Sequence, residues 1–226
     1  MNHLDLQQRC ELGQRQLMGM QYLAAERTLA EAADEAWVCR DFDTLARVYM
    51  PLQEARRQIR QRAGEGIVCL DLLAESEDRQ PDARKTALEI PHGQILIAGW
   101  KGIEPGIELR RLQKGRSQYA ETLLGAVFPV GKGRVVRILP LADGSNEAIE
   151  LKIEELSKGR QRGTAQSYGL VSSLWEKLHR PFLARADAEK DPIRRIEGYL
   201  KAIQVDYACE FAHQRLAEVA KGLAIS

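Results

Sequence analysis

The chain has 226 residues, of which 44% are hydrophobic and 29% charged. That is long enough to bury a core without disulfides and too apolar for a disordered tail. Lys plus Arg number 33 against 32 for Asp plus Glu, so the net charge is +1. Such a balance supplies no general field for nucleic acid or an anionic membrane. No apolar run approaches the roughly 18–20 residues of a membrane helix. The N-terminus lacks the apolar segment and small-residue cleavage site of a secretory signal. Cys10, Cys39, Cys69 and Cys209 are widely spaced with no C-x-x-C pair, which predicts reduced, buried thiols and a cytoplasmic location. The four histidines are equally scattered. None stands at a ligand spacing from Cys, Asp or Glu, so no metal site and no cofactor is predicted.

Periodicity divides the chain into a helical region over 1–63, a small α/β region over 64–140 and a second helical region over 141–226. The first is rich in Ala, Leu, Gln, Arg and Glu, with no proline before Pro51. Leu12-Gly13, Tyr22, Ala25, Leu29 and Ala32 are spaced so that two helices can pack antiparallel, small residues marking the closest approach. After Asp41 the pattern restarts with Phe42, Leu45, Ala46 and Tyr49, then Leu52 and Ala55; Pro51 should kink that helix.

Glycine, proline and β-formers concentrate in the middle region. Strands are predicted for 67–73, 94–98 and 134–139, with a solvated loop over 75–82. The run 94–98 leads through Gly99-Trp100-Lys101-Gly102 to Glu104-Pro105 and a short helix ending near Gly115. Residues 119–128 read as strand or helix. If 123–128 is a strand, the turn 129–133, including Lys132, makes a hairpin on a mixed sheet of three or four strands. In the last region Val171, Leu174, Trp175 and Leu178 form a helical stripe that ends or kinks near Pro181, followed by a loop over 184–190. Asp191-Pro192 then starts a helix as N-cap and first residue. Ile196, Tyr199, Leu200 and Ile203 line its inner face. A last helix is predicted to turn Ala208, Phe211, Ala212, Leu216, Val219 and Leu223 inward.

The order of small and large residues over roughly 9–58 resembles the tetratricopeptide repeat family. Tyr199, Ala202 and the exit 203–206 are similar to the second helix of such a unit. The resemblance implies helical hairpins at both ends and surfaces that take up a protein or peptide. It predicts an interaction or adaptor protein with no catalytic residues, and leaves homo-oligomerisation open. Because repeat units cannot bury their faces alone, the two helical ends are expected to pack on each other or on the sheet.

The alternative is a small-molecule-binding protein or enzyme using the central region. Its candidate ligand-binding residues are Asp71 within an apolar strand, Trp100 in a glycine-flanked loop, and Glu104 and Glu121 as partner carboxylates. They could run acid–base chemistry only by converging to hydrogen-bond distance. The stretches 64–66, 99–102 and 131–133 lack the phosphate-loop pattern, and Glu104 would repel phosphate from the helix it starts. The basic stretches 56–62 and 158–163 have no interleaved aromatics, which argues against nucleic-acid binding. Trp37 is placed at a helix junction and Trp175 in the core.

Overall fold

The computed structural model describes residues 3–131, 133–141 and 147–225. Among the described residues eight α-helices and six strands follow in the order α1 (His3–Met18), α2 (Tyr22–Val38), α3 (Phe42–Gly64), β1 (Ile67–Leu73), α4 (Ala83–Glu89), β2 (Gly93–Trp100), α5 (Glu104–Gly115), β3 (Ala120–Val130), β4 (Gly133–Ile138), β5 (Ile149–Lys152), β6 (Gln161–Arg162), α6 (Ala165–Ala188), α7 (Pro192–Val205) and α8 (Glu210–Ile225). The fold is mixed α and β. Residues 1–59 and 179–226 form one compact unit and 60–178 another, the division falling within α3 and α6. No helix among the described residues is long and apolar enough to cross a membrane.

In the helical unit α1 and α2 run antiparallel. A Cβ on Gly13 would meet Leu29 Cγ at 2.5 Å, so glycine sets how closely the two helices approach. Ala25, Leu29, Ala32 and Ala36 are fully buried. Arg9 closes the far end of the pair on Glu35 at 2.6 Å. Both turns from this pair are Schellman motifs. Gln21 N–H donates to Gln16 O and Met20 N–H to Leu17 O, with Met20 at φ 58°. Asp41 N–H donates to Ala36 O and Arg40 N–H to Trp37 O, with Arg40 at φ 57°. Glycine is the usual residue at that left-handed position. Asp41 Oδ1 then accepts from Thr44 N–H and caps α3, which continues through Pro51.

The end of α6 from His179, with α7 and α8, belongs to this same unit, one of the two packings expected for the helical ends. Tyr49 on α3 packs against His213 on α8 with ring centroids 5.6 Å apart. Arg56 bonds both Glu26 on α2 and the His213 ring. Asp191 caps α7 as predicted, accepting from Arg194 N–H at 2.9 Å. The loop expected over 184–190 is shorter, because α6 runs through Pro181 to Ala188. There a Cβ on Gly198 of α7 would meet Ala186 Cβ at 2.7 Å. Phe211, expected inward, is 57% exposed with Arg215 stacked on its ring.

The α/β unit holds one six-stranded sheet in the order β5-β4-β3-β2-β1-β6. The expectation of three or four strands was too small by the edge strands β5 and β6, which lie in the region read as helical. Strands β1, β2 and β3 are parallel and the other pairings antiparallel. Helices α4 and α5 make the two crossovers, and the run read as strand or helix over 119–128 is strand from Ala120 on, continuing to Val130. Its hairpin partner is β4; Lys132, in that turn, lies outside the described residues. Cys69, Ile95 and Ile97 pack with Ala83, Ala87 and Ile90 around α4 and with Leu109 of α5. Burying such side chains stabilises the layer by about 1.5–3 kcal/mol each.

Candidate functional site

The four residues singled out in the α/β region do not converge. Gln94 pairs with Glu121, whereas Trp100 pairs with Val127 six positions further along the same two strands. At about 3.3 Å per residue that places Glu121 and Trp100 about 20 Å apart, at opposite ends of the strands.

Glu121 is 3% exposed and fully engaged. Arg60 Nε donates to Oε1 at 2.7 Å and Gln94 Nε2 to Oε2 at 2.9 Å. The Arg60 guanidinium also lies 5.4 Å from the ring of Trp175, which is in the core at 2% exposure. Nearby, Arg110 donates twice to Thr122 O, at 2.9 and 2.6 Å. Thr122 lies in the first half of β3, ahead of the register shared with β4, which starts at Gly125. The cation therefore satisfies a carbonyl that no strand partner reaches. Through this network Glu121 links β3 to Gln94 of β2 and to Arg60.

Asp71 is half-buried on β1, where β6 pairs only Ile67 and Val68 and leaves the strand edge open beyond them. Its Oδ2 accepts from Gly159 N–H at 2.6 Å and its Oδ1 from the Cys69 thiol at 3.5 Å. The carboxylate thus ties down the loop leading to β6. Burial, and then the adjacent Asp71 charge, pushes the Cys69 thiol up to about 11.

Trp100 ends β2, half-buried, and its backbone N–H donates to Gln80 Oε1 at 3.0 Å. Glu104 begins α5 and is exposed. It lines an open cleft of about 550 Å³ at the carboxyl ends of β1 and β2, together with Gln80, Asp82, Arg84, Pro105 and Glu108. Three carboxylates against one guanidinium make this a poor phosphate site. Asp82 already caps α4 by accepting from Lys85 N–H, and Glu104 occupies the first turn of α5. Glu108 sits below the usual carboxylate range because Arg111 donates to it.

Four arginines of the two basic stretches pair with carboxylates of the chain: Arg56 with Glu26, Arg57 with Glu54, Arg60 with Glu121 and Arg160 with Glu89. Among the described residues no cysteine is in a disulfide; Cys69 and Cys209 are buried and Cys10 is half-buried. Cys39 corrects the expectation of four buried thiols, because it is exposed in the α2–α3 turn.

That turn carries the most conspicuous surface chemistry of the helical unit. Arg40 Cζ lies 4.2 Å from the centroid of the half-buried Trp37 ring, and Phe42 meets Trp37 edge-on at 6.5 Å. Val38 beside them is 78% exposed. The sequence placed Trp37 at a helix junction but gave no sign of the stacking, which joins it to Arg40 at the left-handed position of the turn.

One grouping was invisible to spacing. His179 Nδ1 lies 2.7 Å from Asp206 Oδ2, and Cys209 brings a third donor atom to the same point. The spacing Asp206-x-x-Cys209 was the available signal, but His179 stands 27 residues earlier. No protein-family model, curated protein or solved structure matches the chain.

Proposed function

We propose that the protein is an interaction or adaptor protein whose helical unit takes up a protein or peptide on tetratricopeptide-like hairpins. The observation that carries this reading is the α2–α3 turn, where Arg40 stacks on Trp37 beside an exposed Val38. Trp and Arg are the residues on which interface binding energy concentrates, and a valine left in water gains from being covered. The tetratricopeptide-like reading is supported by Gly13 meeting Leu29, by the buried Ala25 and Ala32, and by two consecutive turns of one geometry.

The test is crosslinking and quantitative mass spectrometry on the tagged full-length chain, comparing wild type with Val38→Asp and Arg40→Glu. Both positions are exposed, so both variants keep the wild-type fold by circular dichroism. The expected result is a specific partner depleted at least tenfold in both variants. A partner recovered equally from all three proteins removes the turn from the interface, and light scattering identifies a second copy of this chain as that partner. The cleft beside Glu104 supports the alternative reading, a small-molecule-binding protein or enzyme. A metabolite that raises the melting temperature of wild type but not of Glu104→Lys would favour it.

A further inference from the structure

We infer that His179, Asp206 and Cys209 bind a single Zn²⁺ ion, a role independent of the interaction reading. Histidine, carboxylate and thiol are buried together, at 8%, 1% and 2% exposure. Their donor atoms lie within 4.8 Å of one another. The three come from two places in the helical unit: His179 from α6, the other two from the turn between α7 and α8. That turn is held by Cys209 N–H donating to Asp206 O at 2.9 Å and Ala208 N–H donating to Asp206 Oδ1 at 3.2 Å. A two-residue gap in a tight turn is a common way to aim two ligands at one ion. The His179–Asp206 contact at 2.7 Å brings nitrogen and oxygen donors to the point that the Cys209 thiol also reaches.

The donor set selects the metal. Calcium and magnesium take oxygen ligands, whereas one nitrogen, one oxygen and one sulfur suit a borderline-soft ion. With Zn–N and Zn–O near 2.0 Å and Zn–S near 2.3 Å, tetrahedral angles put the donors about 3.3–3.5 Å apart. Binding would replace the His179–Asp206 hydrogen bond at 2.7 Å by ligation, with its proton released to solvent. Three protein ligands leave one position for a water molecule. The ion would staple α6 to the α7–α8 turn, joining segments about thirty residues apart in sequence, and so stabilise the helical unit by mass action.

The test uses the full-length chain, stripped with a chelator and titrated with Co²⁺, whose spectrum reports thiolate ligation. The expected result is one equivalent bound per chain, with a thiolate-to-cobalt charge-transfer band and tetrahedral visible bands, both abolished by Zn²⁺. Cys209→Ser loses the charge-transfer band, His179→Ala weakens binding at least tenfold, and Cys10→Ser and Cys39→Ser keep the wild-type spectrum. Zn²⁺ at about 100 times its Kd raises the melting temperature by roughly 5–10 °C. A folded wild-type chain that gives no charge-transfer band at stoichiometric Co²⁺ overturns the assignment without recourse to any variant. So does a band that survives in Cys209→Ser.

Discussion

Replacing Glu121 by glutamine removes one charge from a buried network while keeping the side-chain volume. Arg60 and Glu121 have side chains only 11% and 1% exposed, and the Nε–Oε1 distance is 2.7 Å. Breaking a buried pair by neutralising one partner costs about 3–5 kcal/mol, because the other charge stays out of water without its counter-ion. A second estimate agrees: Glu121 accepts two hydrogen bonds, from Arg60 and Gln94, and bonds to charged groups contribute about 1.5–3 kcal/mol each. Glutamine keeps part of the second bond, so a loss of about 3 kcal/mol is expected. Urea unfolding followed by tryptophan fluorescence is the direct assay, since buried Trp175 lies beside Arg60. The double variant Arg60→Met/Glu121→Leu should recover most of the loss, because an apolar pair of similar volume avoids desolvating two ions. Glu121→Gln within 1 kcal/mol of wild type would mean that the carboxylate is not committed to Arg60, and would return it to the list of ligand-facing acids.

The other expectations concern packing, backbone and titration. Gly13→Ala should lower the melting temperature although alanine favours helix by about 1 kcal/mol, since overpacking against Leu29 costs about 1–3 kcal/mol. Gly169→Ala, on an exposed stretch of α6 with no atom within 4 Å of the new Cβ, should raise it; equal responses would refute the close helix approach. Met20→Gly and Ser117→Gly, both at left-handed positions, should each stabilise by about 0.5–1 kcal/mol in denaturant titrations. Arg40→Gly should gain less, because it also gives up the stack on Trp37. The raised pKa of Cys69 means that the folded state holds this proton more tightly than the unfolded chain. Its contribution is present below about pH 9 and is lost as pH climbs toward 11, so Cys69→Ala should flatten the alkaline stability profile over that window.

What could be read from the sequence was what a few neighbouring residues decide. Asp191-Pro192 is a helix start because one side chain and one fixed φ suffice, and Asp191 does cap α7. The small–large order around Gly13 and Leu29 was legible because the helical period alone brings those positions face to face. The edge strands were not. Isoleucine and leucine alternate with charges in β5, and β6 is two residues long, so each exists only because β4 or β1 offers a ladder to join. Helix α4 has seven residues, too few to form alone, and rests on its Asp82 cap and the burial of Ala83 and Ala87.

The same distinction governs the site residues. A carboxylate in an apolar strand announces that something must balance it, but not whether the balance comes from a ligand or from the chain. For Glu121 the partner is Arg60, 61 positions earlier, which in sequence is one cation of the basic stretch 56–62. For Asp71 it is the backbone of Gly159, 88 positions later, which carries no side-chain signal at all. Glu104 lines an open cleft and Trp100 bonds Gln80, another of its lining residues, because the β2–α5 connection is short enough to keep sequence neighbours together in space. Asp71 and Glu121 thus meet partners from distant parts of the chain, and His179, Asp206 and Cys209 show the same effect with unlike donor atoms brought together across the helical unit.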